Sequence, residues 1–377
     1  MNLKRSSALV GVVAIGAMTL AGCGSDNNSA STTASGGSSA AASTASCEGK
    51  TNLSAAGSSA QKNAMDAFTA SYISACQAKG KSVNVAYNPS GSGDGRTQFI
   101  AKQIDFAGSD SAIKEKQAED AKARCAGNDA WNLPLVFGPV SLAYNIDGVD
   151  KLVLNGETAA KVFNGQIKKW NDPAIAALNS GANLPDTDIT VFFRSDSSGT
   201  TDNFQQYLAA ASNGAWAPDA SGSDFKGNTG QGAKGSAGVA QGVASTPGAI
   251  SYVEKSFADQ NKLKSAQIDT GSGPVELTTA SASKSIESAK FKTEGSKDLA
   301  LDLKSTYASK EAGAYPLILA TYEIVCSKGY EPDTAASVKS FLTSAANEGQ
   351  GTLEESGYIP LPEEFKKTVT ASIDAIS

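Results

Sequence analysis

Thr190-Val-Phe-Phe-Arg-Ser-Asp-Ser-Ser-Gly-Thr-Thr-Asp-Asn-Phe204 is the stretch from which the fold of this chain is read. It starts as an apolar β-type run, ends that run on Arg194, and turns through Ser197-Ser-Gly-Thr200 into a helical pattern. A strand that feeds a Ser/Gly turn and then a helix leaves several backbone N–H groups without partners at the helix start. Those donors and the positive end of the helix dipole favour an anion. Arg194 adds a planar fork suited to oxyanions, and the hydroxyls of Ser198 and Thr200 add neutral donors. Asp196 is spaced to hold the guanidinium in one orientation. Taken alone, the stretch reads equally as an ordinary strand–helix junction with an N-cap serine and a surface salt bridge.

The same grammar recurs upstream. Residues 51–55 read as a strand ending at Gly57-Ser-Ser59, and Met65, Phe68, Tyr72 and Cys76 then share one helical face. Residues 82–87 form a second strand-like run, broken at Asn88-Pro-Ser-Gly-Ser-Gly-Asp-Gly95 before a helical 96–102. A third, 104–108, stops at Ser109-Asp110. Strand–turn–helix alternation implies an α/β domain with a mostly parallel sheet. Ligands of such sheets sit beyond the carboxyl ends of the strands, so the turns are the candidates for function.

Downstream, 133–144 is long, apolar and extended, with Gly138-Pro139 in its middle, and reads as a crossover between two domains. Helical or loop segments are expected at 158–163, 168–170 and 173–178, a strand at 188–194 and a helix at 201–211. Residues 215–242 are glycine-rich and contain Gly230-Gln-Gly-Ala-Lys-Gly235. No apolar strand precedes this GxGxxG, which argues against a dinucleotide fold. Gly49-Lys50-Thr51 imitates the end of a P-loop, but position 44, where the leading glycine belongs, is Thr44. Residues 249–253 read as a strand, 265–294 as polar and irregular, and 298–307 as a helix. Residues 314–326 read as the return crossover. An amphipathic helix is expected at 335–346, with Val338, Phe341 and Leu342 apolar, and a final one at 363–376.

The 377 residues are enough for two domains with real cores. A net charge of −6 provides no basic field for nucleic acid. The chain has no histidine, which removes Ser-His-Asp and Cys-His catalysis and every His-ligated metal site. Lys4 and Arg5 precede the short apolar run 8–20, the pattern of an export signal. Leu20-Ala-Gly-Cys23 follows and resembles the bacterial lipobox, which implies cleavage after residue 22 and lipidation of Cys23. Residues 23–46, rich in Ser, Ala, Thr and Gly, then read as a tether. Without Cys23, the remaining Cys47, Cys76, Cys125 and Cys326 argue for two disulfides in an exported protein. Three pairings are open. Cys47 precedes the first strand and Cys76 ends the first helix, so a local pair is one of them, and it would leave Cys125 to Cys326.

From about Thr51 to the C-terminus the chain resembles the phosphate-binding proteins of the high-affinity phosphate ABC importer. The resemblance rests on Ala56-Gly-Ser-Ser59, Ser90-Gly-Ser-Gly-Asp-Gly-Arg96, Asp105-Phe-Ala-Gly-Ser-Asp110, Gly165-Gln-Ile-Lys-Lys-Trp170, Arg194-Ser-Asp-Ser-Ser-Gly-Thr200 and Pro247-Gly-Ala-Ile-Ser-Tyr-Val253, in that order. It implies an α/β type II periplasmic-binding-protein fold: two lobes, each a mixed sheet flanked by helices, joined by two hinge strands. After the signal (1–22) and tether (23–46), lobe I would take 47–138 and 314–377, and lobe II 139–313. The resemblance further implies phosphate ligands Ser58, Ser59, the N–H of Ala60, Ser92, Gly93 and Asp110 from the first lobe. Arg194, Ser198, Gly199 and Thr200 would come from the second, with Asp196 buttressing Arg194.

Where the family commonly has Thr-Phe-Pro, this chain has Ser59-Ala60-Gln61, which keeps a hydroxyl and an N–H but loses an aromatic wall. The partners implied are inorganic phosphate, a membrane-embedded permease and, through the lipid, the outer face of the cell membrane. The chain is expected to be a monomer with no nucleic-acid partner, cofactor, metal or enzymatic activity.

Asp110 suits a ligand that can donate. Phosphate near neutral pH carries a proton and sulfate carries none, so sulfate would set two acceptors against each other at a cost of roughly 1–3 kcal/mol. That argues against a binding protein for sulfate or molybdate. A secreted phosphatase is the alternative from another class, but the chain has no carboxylate cluster spaced for two metals. A surface adhesin or signalling role is a third reading.

Overall fold

In a computed structural model that describes residues 43–377 apart from 114 and 218, the strand–turn–helix order of the first hundred folded residues is β1 (Asn52–Gly57), α1 (Lys62–Ala78), β2 (Asn84–Asn88), α2 (Ser92–Ile100), β3 (Phe106–Ser109) and α3 (Lys116–Arg124). The expected signal at 1–22, Cys23 and most of the tether lie outside the described residues. Strand β1 is parallel to both β2 and β3, so the turns after all three open on the same edge.

The long apolar run becomes one 16-residue strand, β4 (Ala130–Asn145). It is followed by β5 (Val153–Asn155), α4 (Gly156–Phe163), α5 (Pro173–Leu178), β6 (Thr190–Arg194), α6 (Gly199–Ala211), β7 (Gln231–Ala233), α7 (Gly235–Ser245), β8 (Ala249–Glu254) and α8 (Lys255–Gln260). Short elements come next: β9 (Lys264–Ser265), β10 (Gln267–Asp269), β11 (Pro274–Val275), α9 (Thr279–Glu287), β12 (Lys290–Phe291), β13 (Leu301–Asp302) and α10 (Lys304–Tyr307). The chain returns through β14 (Ile318–Cys326) and closes with α11 (Pro332–Ala346) and α12 (Glu363–Ile373).

The main sheet runs β2-β1-β3-β14-β4-β8-β6-β7. Strand β4 is what makes the molecule two-lobed. From Ala130 to Pro139 it pairs with β14, and from Val140 to Asn145 it pairs with β8. The partner changes between Pro139 and Val140, and proline lacks the N–H that an uninterrupted ladder would use. The antiparallel pair β4 and β14 supplies the two hinge strands, and each lobe carries a mixed sheet flanked by helices. In the first lobe Phe341 of α11 packs on Phe106 and Tyr72, with ring centroids 5.5 Å apart in both pairs. In the second, Phe204 stacks on Tyr252 at 4.4 Å and meets Phe163 edge-on at 4.7 Å.

The disulfides are Cys47–Cys76 and Cys125–Cys326, closing separations of 29 and 201 residues. The chain is already packed ahead of the first bridge, since Ala45 is buried and Thr44 donates to Glu348.

Three segments fold differently from the expectation. Residues 298–307 are a short strand and a single helical turn, because Leu299, Leu301 and Leu303 point inward at the two-residue period of a strand while Asp302 points out. The 265–294 stretch is not irregular throughout. Helix α9 starts at a capping box between Thr278 and Ser281, and inward-facing Ala282 and Ile286 are its apolar anchors. The glycine-rich 215–242 stretch hides α7, whose inward stripe is Val239, Ala240 and Val243. The β12–β13 hairpin reaches the first lobe: Asp298 accepts from the N–H and side-chain amide of Asn132 at 2.7 and 2.8 Å, and Phe291 packs on Phe365.

Candidate functional site

The opening stretch folds into strand β6, a turn and helix α6. Arg194, the last residue of β6, is only 3% exposed. Its Nε donates to Asp196 Oδ1 at 2.7 Å and its Nη2 to Asp196 Oδ2, a two-pronged grip that fixes the plane of the guanidinium. Asp196 Oδ1 also accepts from the N–H of Gly235 at 2.9 Å. Burial works to raise the Asp196 carboxyl, but the Arg194 guanidinium and the Gly235 N–H outweigh it and hold the group below the usual range. Burial opposes the charge of Arg194 too, yet Asp196 and Glu254 keep it above its ordinary value. The remaining nitrogen, Nη1, turns to Ser236 Oγ at 3.2 Å.

Ser198 caps α6 by accepting from the N–H of Thr201 at 3.2 Å, and Gly199 and Thr200 form the first turn, where helix geometry leaves N–H groups without intrahelical partners. The Thr200 hydroxyl does not point outward as a free donor. It donates to Glu254 Oε1 at 2.6 Å.

From the other lobe comes Asp110, just past β3 and 4% exposed. Its Oδ1 accepts two hydroxyls, Ser58 at 2.6 Å and Thr321 at 2.7 Å, while Oδ2 accepts Ser92 at 3.0 Å. Oδ1 therefore has both lone pairs engaged and Oδ2 has one to spare. That oxygen faces the start of α6: a Cβ on Gly199 would come 2.8 Å from Asp110 Oδ2 and 2.6 Å from Ser92 Oγ. Burial raises the Asp110 carboxyl, against the three hydroxyls and the charge of Arg194. Arg96 stands behind, donating to Ser109 Oγ at 2.7 Å.

The lobes meet around this point. Gly93 N–H donates to the Ser197 carbonyl at 3.0 Å, Asn203 Nδ2 to the Asp110 carbonyl at 2.7 Å, and Ser111 Oγ to Asp202 Oδ2 at 2.6 Å. Ser59 Oγ lies 2.9 Å from Ser236 Oγ and accepts the Ser236 N–H at 3.0 Å. Ser58, Ser59, Ala60, Ser92, Gly93, Asp110, Arg194, Asp196, Ser198, Gly199 and Thr200 thus stand in one cluster. Within it the N–H of Ala60 is turned inward to Ser58 Oγ at 3.0 Å, and that of Gly93 to the opposite lobe.

Sequence reasoning did not single out Thr321, Ser236 or Glu254. Thr321 lies in the apolar return crossover, where the one aliphatic hydroxyl of the stretch was the available signal. Ser236 follows the rejected GxGxxG, whose last glycine does open a helix at the site. Glu254 ends an apolar strand and is buried. Its Oε2 has no partner, and burial raises its carboxyl against the pull of Arg194. One guanidinium, a helix start and hydroxyls set against a carboxylate with a spare lone pair make a site for a small anion that also carries a proton. Among the described residues no group of acidic or cysteine side chains is arranged to hold a metal.

Two hinged α/β lobes closing on such a site define a periplasmic-binding-type protein, and the family described as the PBP superfamily domain matches residues 28–346. Within that superfamily the chain belongs to the phosphate-binding proteins of the PstS family. It is 46% identical over 379 residues to phosphate-binding protein PstS 3 of Mycobacterium leprae, covering 100% of both chains. It is 34% identical over 291 residues to phosphate-binding protein PstS of Pasteurella multocida, covering 76% of this chain and 81% of that one. Among solved structures, a high-affinity periplasmic phosphate-binding protein (PfluDING) bound with phosphate shares the fold. The TM-score is 0.65 at 20% identity, covering 85% of this chain and 93% of that one.

Proposed function

We propose that this protein binds inorganic phosphate between its lobes, outside the cytoplasmic membrane, and delivers it to a membrane-embedded ABC permease. The observation that carries the reading is the pairing of Arg194 and the α6 start with the spare lone pair of Asp110 Oδ2. A protonated phosphate oxygen has an acceptor there, and the other oxygens have Arg194, Ser198 and the N–H groups of Gly199 and Thr200 as donors. In this reading Ser58, Ser92 and Thr321 orient Asp110, Asp196 orients Arg194, and Ser59 with Ser236 latches the lobes.

Lobe I comprises 47–138 and 314–377, and lobe II 139–313. They open by rotation at 138–143 and around 314–316, where the chain crosses between them. The protein acts as a monomer, does not hydrolyse phosphate esters, and is held at the membrane by lipid on Cys23. Isothermal titration with phosphate, arsenate and sulfate tests the reading. Phosphate and arsenate, which both carry a proton near neutral pH, should bind and sulfate should not. Equal heats for sulfate and phosphate would overturn it.

A further inference from the structure

Strands β2 and β7 are the two ends of the main sheet, and the hinge pair β4 and β14 is in its middle. When the lobes turn about that pair, the loops that follow the end strands separate most. In the structure these loops face each other. Ser59, Lys62 and residues 88–90 of the first lobe and Lys234 and Ser236 of the second line one cavity of about 320 Å³. Two of those residues are the latch itself, with 2.9 Å between their hydroxyl oxygens, and Ser236 Oγ accepts from Arg194 Nη1 at 3.2 Å. Lys234 is exposed at the rim. The cavity is thus a path from solvent to the latch, one hydroxyl away from the guanidinium.

The charge around it is one-sided. Lys62 on α1 and Lys234 just before α7 reach it from opposite lobes, and no carboxylate lines it. Lys62 also meets Asp66 one helical turn on, an exposed pair of the kind that is worth little. A second cavity, of about 510 Å³, also touches Asp110 but differs on both counts. It lies against the hinge strand β14 through Tyr322, and its Lys290, Lys292 and Lys304 are matched by Asp110, Asp202 and Asp302. The residues around it also tie the lobes together: Asn203 to the Asp110 carbonyl, Ser111 to Asp202, and the β12–β13 hairpin to Phe365 through Phe291.

We infer that phosphate enters and leaves between the 88–90 loop and the turn at 234–236, and that Lys62 and Lys234 draw it into this doorway. The inference rests on the phosphate reading above. The whole chain carries a net charge of −6, which repels an anion at long range. Two ammonium groups at a narrow mouth reverse that field locally and raise the rate of encounter. Once the lobes shut, the ligand is held by Arg194, the α6 start and the hydroxyls, so the two lysines act on association and not on dissociation.

The test measures association and dissociation of inorganic phosphate by stopped-flow fluorescence, with Kd from titration calorimetry, on the full protein. Lys62→Gln combined with Lys234→Gln should slow association about threefold at about 0.1 M salt, and the difference should fade at about 1 M, where the Debye length is about 3 Å. Dissociation should stay the same, so Kd should rise by the factor that association loses. Lys290→Gln, Lys292→Gln and Lys304→Gln together remove one more positive charge, yet should leave association at about 0.1 M salt within about 1.5-fold. Unchanged association in the double variant, a change carried by dissociation, or equal slowing in the triple variant would overturn the doorway. Absence of any phosphate binding by the unmodified protein would instead overturn the phosphate reading.

Discussion

Replacing Asp110 by Asn tests the chemistry of the site most directly. In the protein Asp110 Oδ1 takes the hydroxyls of Ser58 and Thr321, and Oδ2 takes Ser92 and looks toward Gly199. An asparagine would place its amide oxygen at the Oδ1 position, because the reverse orientation would set an N–H2 against two hydroxyl donors. The N–H2 then falls at the Oδ2 position. One of its protons meets Ser92 Oγ, which already accepts the Asp110 N–H at 3.1 Å and has a second lone pair free. The other proton points at the ligand.

Phosphate can answer by turning an unprotonated oxygen to the new donor, so its affinity should change by no more than about 1 kcal/mol. Sulfate gains more. The clash of two acceptors is replaced by a hydrogen bond and the repelling charge is gone, a relief of about 1–3 kcal/mol, or roughly 5- to 150-fold in Kd. The assay is competition of phosphate and sulfate by titration calorimetry, with Arg194→Ala as the control that weakens both anions together. An unchanged phosphate-to-sulfate ratio in Asp110→Asn, alongside loss of both ligands in Arg194→Ala, would refute the assignment of Asp110 Oδ2 as the acceptor of the ligand proton.

Gly199→Ala should block closure, since its Cβ would lie 2.6 Å from both Asp110 Cβ and Ser92 Oγ. Phosphate affinity should fall by about a hundredfold or more, and small-angle scattering should show no compaction with ligand. Removing Cys125–Cys326 by a double Ser replacement should cost about 5 kcal/mol in urea unfolding, and removing Cys47–Cys76 about 4 kcal/mol, on the loop-entropy account for closures of 201 and 29 residues. Phosphate binding should survive either change under native conditions.

Glu323, buried in β14, carries a stability signature. Its carboxyl rises from the ordinary 4.5 of an exposed glutamate to about 8 when folded, chiefly through burial, so the folded protein holds the proton more tightly. Stability from this group is complete below about pH 4.5 and is lost progressively as pH rises to about 8. The melting temperature of Glu323→Gln relative to the unmodified protein should therefore climb across that window and level off above it. A flat difference would count against a buried, protonated acid.

How far the sequence reveals this site depends on whether a residue announces itself through the backbone or only through its surroundings. The Arg194 to Thr200 turn is legible because a strand, an arginine and a helix cap follow one another along the chain, and local sequence dictates all three. Asp110 is legible for a related reason: it follows an apolar strand in a fold whose strands point ligands at their carboxyl ends. Glu254, Thr321 and Ser236 give no such sign. Each is one polar residue at the end or in the middle of an apolar or glycine-rich run; the pairing of β4 with β8 and β14 brings Glu254 and Thr321 to the cleft, and the start of α7 brings Ser236.

Gln61 shows the limit most clearly. Read along the chain, it marks a departure from the family pattern that costs an aromatic wall. In the fold its amide is locked by a tyrosine two elements away and faces a glutamate more than 250 residues later, passing through a gap that exists because Gly108 has no side chain. Those three constraints come from three strands, and no window of sequence contains them together. What remains visible in advance is the unpaired chemistry itself. A glutamine where the family places proline, and a glutamate inside an otherwise apolar hinge strand, are each polar groups that the fold buries, and only the fold says what surrounds them.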